Sequence, residues 1–217
     1  MTFTFFKTRI PIKTVFFLPL FVLSINCFGQ DDVKGYLEDT SISENVLKKF
    51  PAANFYEDLA RIYSNGKWGY INKLGDTVLP FIYQNASDFN EGLAAVKLNS
   101  KMGFINKKGE AVIPFRYSYA DKFWNHFAIV SDEKSKYTFI NKEGKLLSSF
   151  MFDNVEYFND FGFANFKIGG KWGVINSSGK IIVPAISKYP VDLRGTKGNV
   201  TTDTESYPVD GEGKRIK

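Results

Sequence analysis

One imidazole, His126, and one thiol, Cys27, are all that the 217 residues offer of the two most versatile catalytic groups. A nucleophile served by His126 would need a Ser or Cys beside it and an acid orienting the ring. No Gly-x-Ser-x-Gly elbow is present, so His126 reads as a turn or surface residue. Single residues also exclude His-pair and Cys-rich zinc sites and any internal disulfide framework. Carboxylates are the next candidates: Asp58, Asp88, Glu91, Asp121, Glu156 and Asp160. A pair held roughly 5 to 9 Å apart could hydrolyse a glycoside. These six recur with a sequence repeat, however, as turn-forming or solvated residues do. Neither an Asp-x-Asp-x-Asp-Gly calcium loop nor a phosphate-binding glycine loop occurs. No catalytic residue, metal or cofactor is assigned. What remains is aromatic. Trp68, Tyr83, Tyr117, Trp124, Tyr137 and Trp172 could stack on a sugar or grip a peptide, although rings at fixed registers are first of all core. Trp124 differs, because the preceding copy has Asn90 in its place. A Trp on a turn that the repeat does not require is the candidate binding anchor.

The elements that position these residues come from a repeat of 34 to 35 residues. Its copies are Lys67 to Pro80 (KWGYINKLGDTVLP), Lys101 to Pro114 (KMGFINKKGEAVIP), Lys136 to Ser149 (KYTFINKEGKLLSS) and Lys171 to Pro184 (KWGVINSSGKIIVP). The anchors Trp68, Met102, Tyr137 and Trp172 lie 34, 35 and 35 residues apart. Upstream of each anchor runs a strand with Ala60, Ala94, Ala128 or Ala164, and a larger apolar residue two places on, which shares its face. Asn65-Gly66, Asn99-Ser100 and Gly169-Gly170 then supply the positive φ of two-residue hairpin turns. The third copy inserts a longer tip, Ser131 to Ser135. After the anchor strand, Asn-x-x-Gly ending at Gly75, Gly109, Gly144 or Gly179 matches a type I turn. A third strand follows, which Pro80, Pro114 and Pro184 are expected to stop.

Trp68 and Tyr70 face one way, Gly69 and Ile71 the other, and both sets are apolar in nearly every copy. A strand apolar on both faces must be covered on both, so neighbouring repeats must shield one another. Gly69, Gly103 and Gly173 would leave room for the next element. Residues 193–217 follow the same register with polar substitutions and read as a degenerate terminal repeat, a polar cap. Residues 30–54 are polar, with a short amphipathic run in which Ser43 caps a helix that brings Val46, Leu47 and Phe50 together.

The first 29 residues read as an address. Lys7, Arg9 and Lys13 precede an apolar run from Thr14 to Ile25, about 12 residues against the roughly 20 of a membrane span. Small residues at Cys27 and Gly29 place the cut after Gly29. The rival reading makes Cys27 the lipid-bearing first residue, but Asn26 and Ser24 depart from a lipobox. Losing residues 1–29 leaves 25 basic and 23 acidic side chains, so the formal charge falls from +5 to +2. No polybasic run remains to grip phosphates, which argues against nucleic acid. The mature chain has no cysteine, which suits an oxidising compartment. With 44% hydrophobic and 17% aromatic residues the chain is too apolar to be disordered.

Lys-Trp-Gly-(aromatic)-Ile-Asn-x-x-Gly, followed by an apolar strand, Pro-x-x-Tyr and Phe-x-Glu-Gly-Leu-Ala, resembles the WG-repeat or KWG-repeat family. Lys67 to Tyr83 and Phe89 to Val96 carry the whole motif, over about residues 50 to 190. Met102 replaces Trp in copy two, and Tyr137-Thr138 replace Trp-Gly in copy three, which has also lost its Pro. The resemblance implies a bacterial, β-rich repeat protein, often exported and used for binding, with no catalytic residues to carry over. The reading is therefore an all-β array over residues 55–192, built from three-stranded units in an open twisted stack, with a closed propeller-like arrangement as alternative. Its function is non-catalytic binding of a protein, peptide or glycan in the periplasm, at the cell surface or outside the cell. The alternatives are a glycan-acting envelope enzyme and a structural spacer. Mass spectrometry of the mature amino terminus checks the address: Gln30 or Asp31 should come first, and a lipid-modified Cys27 would overturn the plain signal.

Overall fold

The structure is a computed structural model that describes residues 42–217. The signal segment, its cut and Cys27 lie outside the described residues. Helix α1 (Glu44–Lys49) begins at Ser43, whose hydroxyl accepts the Val46 N–H at 3.4 Å. Five antiparallel sheets follow in chain order. The first holds β1 (Leu59–Ser64), β2 (Lys67–Asn72) and β3 (Thr77–Tyr83); the second β4 (Asn85–Ala86), β5 (Leu93–Leu98), β6 (Lys101–Asn106) and β7 (Ala111–Tyr117). The third holds β8 (Tyr119–Ala120), β9 (Ala128–Ser131) and β10 (Tyr137–Ile140). The fourth holds β11 (Asn154–Val155), β12 (Phe163–Ile168), β13 (Lys171–Asn176) and β14 (Ile181–Ser187), and the fifth β15 (Lys197–Thr201) and β16 (Ser206–Asp210).

Each of the first four sheets is apolar on both faces, and each apolar layer is shared by consecutive elements. Val46 of α1 joins Ala60, Ile62 and Ile71. Tyr70 and Leu79 of the first sheet meet Ala94, Val96 and Ile105 of the second. Phe104 and Ile113 then meet Ala128, Val130 and Ile140 of the third. Phe139 meets Ala164, Phe166 and Ile175 of the fourth, and Val174 and Val183 meet Val200 and Val209 of the fifth. Neighbours in one strand, such as Phe104 and Ile105, thus belong to different layers, as the two-faced anchor strand predicts. The layers follow chain order and the stack is open. Rings join successive sheets within each layer: the Phe of each connecting segment packs on the anchor strand before it, Phe89 on Tyr70 at 4.8 Å, Phe123 on Phe104 at 5.0 Å and Phe158 on Phe139 at 4.8 Å. Such pairs add about 0.5–1.5 kcal/mol each beyond their burial. Trp68 and Trp172 share one environment: both are half-buried, and each lies 5.3 Å from a cation, Arg61 or Lys167. The fifth sheet turns Lys197, Asn199 and Ser206 away from its apolar layer.

The turns follow from their residues. Asn65 and Gly66 have φ of 50° and 79°, Asn99 and Ser100 of 50° and 66°. At Asn106 the side-chain oxygen accepts the N–H of Lys108 and of Glu110, both at 3.0 Å, while Gly109 takes φ 81°. In the last copy Asp210 replaces Asn and does the same for Glu212 and Lys214, both at 2.9 Å.

Three expectations are corrected in detail. The repeating sheet has a fourth strand, the two-residue β4 or β11 that pairs with β5 or β12. Pro80, Pro114 and Pro184 do not end the third strands, which run on to Tyr83, Tyr117 and Ser187. These strands lie at the sheet edge and shift register at a bulge, so the missing proline donor costs no ladder bond. What approaches Gly69 and Gly103 is this bulge and not the next repeat: a Cβ on Gly103 would lie 2.8 Å from the Ile113 carbonyl and 2.9 Å from the Phe115 ring. The third repeat supplies the converse. Thr138 stands where the others have Gly, and the third strand shrinks to isolated bridges, Tyr137 to Phe152 and Ile140 to Leu146. Gly103→Ala should therefore destabilise the fold by about 1–3 kcal/mol, read as a lower urea midpoint; a neutral result would remove the bulge as the reason for glycine.

Candidate functional site

The recurrent carboxylates serve the fold. Glu57 sits on the turn before β1, and its carboxylate accepts the Gly92 N–H of the next copy at 3.1 Å and lies 3.2 Å from Lys107. One copy on, Glu91 accepts the His126 N–H at 2.9 Å and pairs with Lys142 at 3.0 Å. Burial alone would raise the pKa of Glu91, but the His126 N–H and Lys142 outweigh it and hold the carboxyl below its ordinary value. His126 takes the left-handed φ of 72° at the place of Gly92, with its imidazole exposed and Nδ1 3.4 Å from Glu91. In copy three Asn125 replaces Glu and reaches forward as a donor instead, to the Phe158 carbonyl at 2.9 Å. Asp58 pairs with Lys73 at 3.0 Å, Asp88 with Arg61 at 2.8 Å, and Asp160 accepts from Asn125 at 3.3 Å.

The structure brings together a different set. Residues at β8 and β11, the first edge strands of the third and fourth sheets, border a cleft of about 400 Å³. It is lined by Tyr119 and Asp121 from one edge, Asn154, Glu156 and Tyr157 from the other, and Tyr137. Tyr119 and Tyr157 both donate their hydroxyls to Asp121 Oδ2, the first at 3.0 Å, while Asp121 Oδ1 accepts the Lys122 N–H at 2.7 Å. The Tyr119 and Tyr137 rings stand edge to face, 6.0 Å apart at 80°. Glu156 Oε2 accepts from Asn165 Nδ2 at 2.9 Å. A smaller cleft of about 170 Å³ between the second and third sheets shares Tyr119 and Asp121 and includes Arg61.

Of the sequence candidates, Tyr137, Asp121 and Glu156 line the larger cleft; Tyr83 and Tyr117 are buried in the layers. Trp124 lines neither cleft. It is 44% exposed at the start of its turn, with the Lys122 ammonium 5.5 Å from its ring. Tyr119 and Tyr157 were not among the sequence candidates. Their signal is the one that singles out Trp124: in the segments Asn85-Ala-Ser-Asp88, Tyr119-Ala-Asp-Lys122 and Asn154-Val-Glu-Tyr157, the tyrosines and Asp121 depart from their counterparts. Among the described residues no group of three His, Cys, Asp or Glu is placed to hold a metal, and no helix is long and apolar enough to cross a membrane.

A family model described as WG containing repeat matches residues 68–101, 102–134, 137–172 and 172–189. No curated protein matches the sequence. Among solved structures the chain is similar to the computationally designed Ika8 protein, at 9% identity and a TM-score of 0.45, over 76% of this chain and 59% of that one. It is similar to BamB from Moraxella catarrhalis at 11% identity and a TM-score of 0.41, over 76% and 59%. Hsv2 from Kluyveromyces lactis matches at 9% identity and a TM-score of 0.42, over 70% and 58%. The chain spans about three-fifths of the length of these structures.

The cleft phenols give a pH signature. Burial first, then the charge and hydrogen bond of Asp121, pushes Tyr119 up to about 12. Tyr157 is raised by burial and by the same carboxylate. Above the ordinary phenol value near 10 the unfolded chain has released protons that the folded chain keeps, so this contribution to stability is whole below about pH 10 and is lost as the pH rises through the folded value. Asp121→Asn should lower both phenol titrations, with burial leaving them above the ordinary value, in ¹³C-tyrosine NMR. Unchanged titrations would remove Asp121 as the cause.

Proposed function

The chain belongs to the family of WG containing repeats, and from that premise we propose that it is an exported, non-catalytic binding module of the cell envelope. The β-rich repeats form a scaffold, and the cleft between the third and fourth sheets is the binding site. The observation that carries this reading is the concentration of repeat-breaking residues in one cleft. Tyr119, Asp121, Tyr137 and Tyr157 occupy positions that other copies fill with Asn85, Ser87, Trp68 or Met102, and Asp88. The repeat is built with Asp88 and Lys122 at the Tyr157 place and with Asn85 and Asn154 at the Tyr119 place, so it does not require a tyrosine at either. A spacer needs no such cleft. Export is supported by the layout of residues 1–29 and by a mature chain free of cysteine.

Trp124 remains a second candidate anchor, exposed on its turn and separate from the cleft. Catalysis on a glycan is the second reading, favoured by Asp121 and Glu156 lining one cleft. Against it, both oxygens of Asp121 are occupied as acceptors, one by two phenols and one by a backbone N–H, which serves to fix the tyrosines. A pull-down from envelope extract, run with the native chain, Tyr157→Ala and Trp124→Ala, separates these readings. Binding at the cleft predicts partners lost with Tyr157→Ala and kept with Trp124→Ala, and the reverse would move the site to the turn. Hydrolysis of envelope glycan by the native chain, abolished in Glu156→Gln, would establish the enzyme instead.

A further inference from the structure

The cleft also specifies a ligand chemistry, an inference that rests on reading it as the binding site. We propose that it receives the ammonium group of a lysine side chain presented by a partner protein. Three tyrosine rings line the cleft. Their arrangement is a corner, with Tyr119 and Tyr137 near perpendicular, and not the flat platform on which a sugar face stacks. A cation is attracted to the face of an aromatic ring and not to its positive edge, most strongly where water is partly excluded, and a corner of rings turns more than one face toward the same space. Asp121 ties two of the rings together, because Tyr119 and Tyr157 donate to the same oxygen. Both phenolic donors nearest the carboxylate are thereby used, which leaves few free donors for the hydroxyls of a neutral sugar.

Charge points the same way. The lining includes Asp121 and Glu156 and no Lys or Arg. The basic residues near by in sequence are engaged elsewhere, Lys122 over the Trp124 ring and Lys136 on Asp153, and Arg61 of the adjoining cleft is paired with Asp88. The raised phenols stay protonated, so the negative charge rests on the carboxylates. A volume of about 400 Å³ accommodates an alkyl chain with its ammonium head and lies within the usual range of ligand sites.

The test is an NMR titration of the full mature chain, with the tyrosine rings ¹³C-labelled and assigned. The probes are Nα-acetyl-lysine amide, its Nε-acetyl derivative, free butylamine and a neutral chito-oligosaccharide. Nα-acetyl-lysine amide should shift Tyr119, Tyr137 and Tyr157, and the neutral Nε-acetyl derivative should bind about tenfold more weakly or worse. Asp121→Asn and Glu156→Gln should each weaken lysine binding. Glu156→Gln alters an exposed residue outside the apolar layers, so its effect does not depend on a rebuilt core. Equal binding of the two lysine derivatives would overturn the proposal. Tighter binding of butylamine would overturn the peptide source in favour of a small amine. Binding of the oligosaccharide in place of lysine would end the cation inference and leave the cleft a binding site. Failure of all four probes would overturn the lysine inference, and with Tyr157→Ala also keeping every partner it would remove the site as well.

Discussion

A strand that is greasy on both faces cannot be solvated on either, and this one constraint shapes the molecule. Tyr70 and Ile71 are adjacent in β2, yet one faces the second sheet and the other α1. No single sheet is an independent core. Stability comes from interfaces, and the contacts Phe89 on Tyr70, Phe123 on Phe104 and Phe158 on Phe139 are the same interface made three times. In an array with nearest-neighbour coupling, loss of one ring weakens the two sheets it joins, and the damage spreads by lost cover.

The surface follows from the same periodicity. A carboxylate that recurs at the repeat spacing meets the same neighbour each time, so Glu57 and Glu91 both reach a turn N–H and a lysine of the following copy. Lys107 and Lys142, signature residues of the Asn-Lys-x-Gly turn, are therefore half of an inter-repeat clamp. Their individual worth is modest, since exposed ion pairs contribute about 0–1 kcal/mol, but they fix the register of one turn on the next. Asp121 and Glu156 share one repeat position but meet different partners, two phenols and Asn165, and both line the cleft.

How much of this the sequence disclosed depends on how many residues carry each signal. Period, hairpin turns, Asn-x-x-Gly turns and the two-faced anchor strand are each written several times over, and the structure has them all. The strand Asn85–Ala86 is two residues long, too short to show alternation, so a fourth strand left no pattern to read. Proline as a strand stop misled because the rule applies to central strands, and β3, β7 and β14 lie at edges. The glycines after the anchor were legible as places of close approach, but the approaching element was local, a bulge of the same sheet. Tyr119 and Tyr157 were visible only as exceptions within a short connecting segment that the motif itself does not constrain.

The third copy explains why a cleft forms where it does. Thr138 in place of glycine fills the space a bulged third strand would need, and only bridges at Phe152 and Leu146 remain of that strand. Tyr137 takes the place of Trp or Met, and its ring turns toward Tyr119 instead of lying under a cation as Trp68 and Trp172 do. The connecting segments then contribute Asp121 from one side and Tyr157 from the other, at positions where the edge strands are too short to close the gap between sheets. Rigid neighbours make that affordable. The second and fourth sheets keep four strands each, so the copy between them can lose a regular strand and still be held on both faces. Relaxed repeat constraints at one copy, flanked by strict ones, let a tandem array carry chemistry on a fold that otherwise only stacks.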